Sequence, residues 1–360
     1  MNQLNEPNEV DDVQATLNEF LKFERDELAS HNNVGLSFEE ARQHLPPWQE
    51  KVKQLFPPFP YFGGKRNAAR EVWRRFGADI KNYIEPFAGG MSVLLNRPIF
   101  DMRRLRTYRE LANDTDLFLT NFWRTVCRSD NRKLIKLMEF PAGEFELLAR
   151  RKEMIRRSEE LRETLNKSIK SFDAELVAYW LYVQRQWIGG GADDVSSSPK
   201  LKMVRARECG LMTGSLEEDL TIIKARTRHI RFFQGDWQRA IISATQTVKF
   251  TNTGVFLDPP YVNQSDMYKG RLDPNDPLDA VPLAARDWAL EFGQYSNFRI
   301  AYCGYRHHHD HVFPTGKNGW VRYPWQLKNG MSKPIPGEER EIDMIWFSPH
   351  CLRFENDAIR

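Results

Sequence analysis

Asn82-Tyr83-Ile84-Glu85-Pro86-Phe87-Ala88-Gly89-Gly90-Met91-Ser92 is the stretch whose reading decides the fold. Asn82–Phe87 is a short apolar run of strand length, Gly89 and Gly90 let the backbone reverse sharply, and Ser92–Asn96 is helix-like. A strand passing through a glycine turn into a helix is one unit of an α/β sheet. Glycine there also lets a ligand approach the backbone beside the free donors of a helix N-terminus. A tight turn with no ligand uses the same residues, so the rest of the chain has to decide between the two.

Further short apolar runs lie at Leu105–Leu111, Ile230–Gln234, Val255–Leu257, Phe298–Cys303, Trp320–Trp325 and Ile342–Phe347. Helix-like segments such as Asp116–Val126 and Leu283–Phe292 follow several of them. This alternation predicts an α/β fold with a Rossmann-like, doubly wound and mainly parallel sheet. Only a turn-rich stretch with Gly330, Pro334, Pro336 and Gly337 separates the last two runs, which predicts an antiparallel hairpin at the end of the sheet.

Two segments interrupt the rhythm. Residues 1–55 are rich in acids and amides, with helical spacing of Leu17, Phe20, Leu21 and Phe23, and end in a stretch punctuated by Pro46 and Pro47, then Pro57, Pro58 and Pro60. They read as an N-terminal helical extension and linker. Residues 128–228 are too long for one crossover helix. They are charged and helical over Glu144–Asn166, aromatic through Tyr179, Trp180, Tyr182 and Trp187, and Gly/Ser-rich over Gly189–Ser198. They read as an inserted helical domain, which leaves 56–127 and 229–360 to build the sheet domain.

A net charge of +3 and a sequence pI near 8.5 are too mild to attract a polyanion by the field of the whole chain. A polyanion-binding face has to come from local clusters: Lys65, Arg66, Arg70, Arg74 and Arg75; Arg103, Arg104 and Arg106; Arg150, Arg151, Lys152, Arg156 and Arg157. Each is equally readable as a solvated helix face. The widely spaced Cys127, Cys209, Cys303 and Cys351 form no CxxC pair, which argues for free thiols in a reducing compartment. No basic, apolar leader and no membrane-length run is present, so the expected location is cytoplasmic. His307, His308, His309 and His311 are contiguous in a loop, a poor arrangement for converging on a metal; phosphate contact or surface exposure fits them better.

Two further constellations carry chemistry. In Asn113-Asp114-Thr115-Asp116, a carboxylate at a strand tip suits the hydroxyls of a ribose, although either Asp serves equally as a helix N-cap. In Leu257-Asp258-Pro259-Pro260-Tyr261, the prolines hold Asp258 extended and leave carbonyl acceptors without competing amide donors. Such a turn offers a carboxylate, a carbonyl and an aromatic face to one amine; a Pro-rich turn with a buried Tyr is the plainer alternative.

Phe59-Pro60-Tyr61-Phe62-Gly63-Gly64-Lys65-Arg66, then Glu85-Pro86-Phe87-Ala88-Gly89-Gly90, then Asp258-Pro259-Pro260-Tyr261 resemble, in motif and order, the Dam-type adenine-specific (N6) DNA methyltransferases. The resemblance spans about residues 55 to 350 and implies methylation of the exocyclic N6 amine of adenine in double-stranded DNA, by base flipping and direct in-line transfer from S-adenosyl-L-methionine. It implies cofactor contacts for Tyr61, Lys65, Phe87, Gly89, Gly90 and Asp114, with Asp236 and Trp237 beside the cofactor adenine. It implies catalytic roles for Asp258, Pro259 and Tyr261, and a target-recognition role for 128–228. The sequence departs from the family at Met91, where another small residue usually follows Gly90, and in the insertion, where Gln186-Trp187-Ile188-Gly189-Gly190-Gly191 replaces the usual Phe-Asn-Gly stretch. Rival readings are transfer to cytosine, RNA or a protein amide, and a non-catalytic nucleic-acid-binding protein. Asp258 favours adenine, because cytosine-amine enzymes usually carry Ser there and protein-amide enzymes Asn.

Overall fold

A computed structural model of the chain describes residues 57–59, 61, 64–65, 67–97, 109–128, 131–138, 143–168, 170–186, 213–247, 251–261, 280–325 and 342–354. The N-terminal extension, the Arg103–Arg106 cluster and the Gly/Ser-rich loop of the insertion lie outside these residues.

Helix α1 (Ala69–Phe76) buries Val72, Trp73 and Phe76 at helical spacing. It stops at Gly77, whose left-handed φ of 74° lets its N–H reach back to the Trp73 carbonyl at 2.9 Å. The next elements are β1 (Asn82–Glu85), α2 (Ser92–Leu95), β2 (Arg109–Asp114) and α3 (Leu117–Arg128). Helices α4 (Asn131–Met138), α5 (Glu144–Arg156), α6 (Ser158–Lys167), α7 (Ala174–Gln186) and α8 (Thr213–Thr227) precede β3 (Ile230–Gln234). Then come α9 (Trp237–Thr247), β4 (Thr253–Leu257), α10 (Ala280–Phe292), β5 (Phe298–Tyr305), the single turn α11 (Arg306–His309), β6 (Val321–Pro324) and β7 (Asp343–Phe347).

The strands form one seven-stranded sheet in the order β3-β2-β1-β4-β5-β7-β6. Pairings are parallel from β3 to β5; β7 runs antiparallel to both β5 and β6. The last two strands therefore pair as the expected antiparallel neighbours, with β7 wedged between β5 and β6. The strand expected at Leu105–Leu111 begins, among the described residues, at Arg109 and continues to Asp114. It runs past the expected end because Asn113 and Asp114 keep extended pairing with Phe233 and Gln234 of β3.

Both faces of the sheet are covered, and the period-two pleat sorts side chains between them. Tyr83, Ala112, Phe256, Ala301 and Ile345 face one core with α1 and α3. Ile84, Leu111, Val255, Leu257, Ile300 and Trp346 face the other, with Ala240 and Ile241 of α9 and Ala285 and Ala289 of α10. The first core runs without a break into Leu147, Leu161, Leu176, Trp180 and Leu220 of α5–α8, so these helices pack on the sheet through shared apolar surface.

A buried ion cluster fixes that junction. Glu110 of β2 accepts from Arg97 at 3.1 Å and from Arg226 of α8 at 2.6 and 2.9 Å, and Arg226 also donates to the Leu94 carbonyl at 2.9 Å. Burial alone would raise the Glu110 carboxyl, but the two guanidiniums outweigh it and hold it below the usual carboxylate range. No described helix is long and apolar enough to cross a membrane.

Candidate functional site

Strand order reverses between β1 and β4: β1 continues to β2 on one side, while β4 continues to β5 on the other. In an open α/β sheet the crevice beyond the carboxyl ends of the strands at such a point takes the ligand. The Glu85–Gly90 turn follows β1, and Asp258–Tyr261 follows β4, so the switch point brings together the two motifs that sequence reading singled out.

The glycine turn is built by close approach. Gly89 has φ 47°, and a Cβ placed on it would meet the Tyr61 ring at 2.5 Å; one on Gly90 would lie 3.0 Å from Pro57. Tyr61 and the segment before α1 thus rest on backbone that only glycine leaves bare. Met91 comes next, with φ 53° and no exposed surface. This left-handed geometry costs a side-chain-bearing residue about 1–2 kcal/mol, so the departure from the family falls where small residues are the easier fit.

Asp114 and Asp116 separate into the two roles their spacing allowed. Asp116 caps α3, its Oδ1 accepting from the N–H of Phe118 at 2.9 Å and of Leu119 at 3.1 Å. Asp114 sits at the tip of β2 and grips the glycine turn, its Oδ2 accepting the Gly89 N–H at 2.7 Å and its Oδ1 the Asp116 N–H at 2.9 Å. A carboxylate oxygen accepts more than one hydrogen bond, so Asp114 keeps capacity for ligand hydroxyls. Asn113, which sequence reasoning passed over, ties three strand ends together: its amide donates to the Pro86 carbonyl at 2.9 Å and the Gly235 carbonyl at 3.0 Å.

On the β3 side, Asp236 is exposed and accepts the Gln238 N–H at 2.6 Å, as an N-cap of α9. Trp237 is buried and lies 5.6 Å from Phe87, rings inclined at 32°. Gly89, Asp114, Phe87 and Trp237 therefore border one end of the crevice, an acid and an aromatic pair beside bare backbone. That set could hold the ribose and base of a nucleotide-like cofactor.

The β4 side holds the other centre. The Lys65 ammonium lies 2.8 Å from both carboxylate oxygens of Asp258, 5.1 Å from the Tyr261 ring centroid and 5.0 Å from that of Trp325. Lys65, expected among the cofactor contacts, is thus placed on the Asp258 carboxylate. Its side chain is 5% exposed and that of Asp258 17%. Burial works against the Lys65 charge, yet Asp258 outweighs it and holds the ammonium above its ordinary range. Burial pushes the Asp258 carboxyl up, and Lys65 draws it back toward ionisation. Pro259 and Tyr261 are buried next to it, and the Tyr261 ring meets Tyr305 edge-on at 4.7 Å. Neither Trp325 nor Tyr305 was foreseen as a site residue; Tyr305 ends β5 and Trp325 directly follows β6 at the same edge of the sheet, and no local pattern marks them.

Among the described residues the basic clusters divide, with Arg70, Lys152 and Arg156 exposed and others turned inward. Arg75 is buried on Glu71 at 2.6 Å, Arg150 and Arg151 are buried, and Arg157 bonds to Asp173 and Glu175. The histidine run splits: His309 is buried against Tyr302 and Trp346, its pKa pushed down to about 3 by that burial and then by Arg286, while exposed His307 stacks on Tyr305 at 5.9 Å.

Comparison with known proteins adds one match. Residues 61–191 fit the model of the D12 class N6 adenine-specific DNA methyltransferase family, consistent with the Dam type, and the match supports an adenine-specific DNA methyltransferase. It ends before Asp236 and Asp258, so the placing of those residues rests on geometry. No curated protein sequence matches the chain.

Proposed function

We propose, from a chain that carries D12 class N6 adenine-specific DNA methyltransferase sequence over residues 61–191, that it methylates the exocyclic amine of an adenine turned out of double-stranded DNA, using S-adenosylmethionine. One observation carries the reading above all: Asp258 is a mostly buried carboxylate already accepting from a nitrogen, framed by an aromatic ring and next to the nucleotide-binding end of the sheet.

When bound, S-adenosylmethionine supplies an electrophilic methyl group on its sulfonium. Asp114, Gly89, Gly90, Tyr61, Phe87, Asp236 and Trp237 are the residues that would hold it. The remaining chemistry belongs to the chain. Adenine's amine is a poor nucleophile, because its lone pair is delocalised into the ring. Hydrogen bonds from its two N–H groups to the Asp258 carboxylate and the Pro259 carbonyl favour a pyramidal nitrogen with a directed lone pair. The Tyr261 ring gives the extruded base a stacking surface. Lys65 occupies the carboxylate meanwhile, so the incoming amine must displace its ammonium, and the displaced charge keeps Asp258 ionised if it stays close. The proton then leaves the methylated nitrogen, with Asp258 the nearest acceptor. Helices α4–α8 and the segment joining α7 to α8 are proposed to read the DNA target.

The test is single-turnover methylation beside cofactor titration, on the duplex site identified by modified-base sequencing of DNA from expressing cells. Asp258→Ala should lose at least ~10²–10³ in rate while still binding S-adenosylmethionine. Tyr261→Phe should lose little, and Tyr261→Ala roughly 1–3 kcal/mol of base capture. Full activity in Asp258→Ala would overturn the mechanism, and methyl on cytosine would overturn the substrate.

A further inference from the structure

The Lys65 ammonium marks where a nitrogen sits when it is held by Asp258. Two ring faces look onto that point from about equal distance, Tyr261 at 5.1 Å and Trp325 at 5.0 Å. Tyr261 belongs to the motif after β4, whereas Trp325 follows β6 at the far edge of the sheet. Because β6 runs in the same direction as β4, both residues emerge at the carboxyl edge.

Trp325 is 4% exposed, and its main-chain N–H is fixed to the Asp343 carbonyl at 2.7 Å, which locks the end of β6 against β7. Its indole Nε1–H, by contrast, has no hydrogen-bond partner among the described residues. Indole is a donor only, and burying a donor without an acceptor is costly enough that most such groups find a partner. A buried donor without an acceptor, on a ring that faces the amine-binding point, is placed to take an acceptor from a ligand.

We infer that Trp325 is a base-recognition residue: its ring forms a second wall of the target-base pocket, and its indole N–H donates to a ring nitrogen of the flipped adenine. The inference rests on the proposed adenine chemistry at Asp258 and deepens it. As the base enters, its amine takes the place of the Lys65 ammonium on Asp258 and is held between the Tyr261 and Trp325 rings. One of the adenine ring nitrogens N1, N3 or N7 then satisfies the indole. Selectivity follows, because a base lacking an acceptor at that position leaves the donor buried and unpaired, a penalty larger than the bond itself is worth.

The experiment uses the full-length protein with saturating S-adenosylmethionine and duplexes carrying adenine, 1-deazaadenine, 3-deazaadenine or 7-deazaadenine at the target position. Trp325→Phe keeps a ring face and loses the donor. On adenine it should slow single-turnover methylation about tenfold, the factor expected for one hydrogen bond. On one of the three analogues that ratio should collapse to near unity, because the analogue has already removed the acceptor. Trp325→Leu, lacking both ring and donor, should be slower than Trp325→Phe. The same ratio on all four duplexes, or a Trp325→Leu enzyme as fast as the unaltered protein, would overturn the inference. The unaltered protein gives a readout that needs no variant: its equilibrium affinity should fall at least fivefold for one analogue alone, and equal affinity for all four duplexes would also overturn it. Asp258→Ala separates the two readings, since its activity on adenine tests the chemistry and is indifferent to Trp325.

Discussion

Replacing Lys65 by methionine keeps the length and most of the apolar stem while removing the charge set against Asp258. At 2.8 Å the pair's attraction is about 6 kcal/mol for an effective dielectric of about 20. Desolvating two ions offsets much of that, so the pair contributes little relative to an apolar replacement of both partners, whereas loss of one partner strands the other. Asp258 is partly accessible and can neutralise itself by taking a proton, which limits the damage. About 3 kcal/mol of destabilisation is therefore expected near pH 8, at the lower end of what breaking a buried pair costs. The sign of the pH dependence follows from Asp258. Burial raises its folded carboxyl above the ordinary carboxylate value, and removal of Lys65 raises it further. The folded state then holds this proton more tightly than the unfolded chain, so stability falls as pH rises from about 4 through the folded value. Urea midpoints should show Lys65→Met close to the unaltered protein near pH 5 and well below it at pH 8. Adding Asp258→Asn should recover most of the loss at pH 8. A Lys65→Met deficit that is equal at both pH values, or that Asp258→Asn leaves unchanged, would refute the reasoning.

Met91 gives an inverted ranking of substitutions: with φ 53° and a fully buried side chain, both Met91→Ala and Met91→Gly lose packing worth about 2–5 kcal/mol, but only glycine relieves the left-handed strain of about 1–2 kcal/mol. Thermal unfolding should rank Met91→Ala below Met91→Gly, and the ordinary preference for alanine would contradict the backbone assignment. Asn113→Ala removes both bonds that tie the β1 and β3 turns to β2, so calorimetry should show S-adenosylmethionine affinity down about tenfold alongside the stability loss of about 1–3 kcal/mol for groups left unsatisfied. Unchanged affinity in a folded Asn113→Ala protein would mean those turns hold their shape without it.

What could be read in the chain was what neighbouring residues determine. The strand-turn-helix at Asn82–Asn96 and the apolar runs at Val255–Leu257 and Phe298–Cys303 declare themselves, because burial on both faces of a parallel sheet demands short continuous apolar segments. The limits appear where a residue's role depends on partners remote in sequence. Asp114 and Asp116 are alike as letters; one became the grip on Gly89 and the other a cap because β2 runs on to Asp114 and α3 starts after Asp116. The arginines of α5 and the residue after it read as a basic face until Arg150 is seen over the Tyr179 and Tyr182 rings and Arg157 on Asp173. Lys65 reaches Asp258 across 193 residues of sequence, a contact made by the adjacency of β1 and β4 rather than by any local pattern. Trp325 is the extreme case. Its ring comes to face Lys65 only because β7 inserts between β5 and β6, reversing direction twice and returning the end of β6 to the edge where Asp258 lies. Its unpartnered indole is likewise invisible in sequence, since a missing hydrogen bond is a property of the packed surroundings and not of the tryptophan. The residue proposed to make this site specific is therefore the one supplied by strand order, while those proposed to make it reactive were already present in Asp258-Pro259-Pro260-Tyr261.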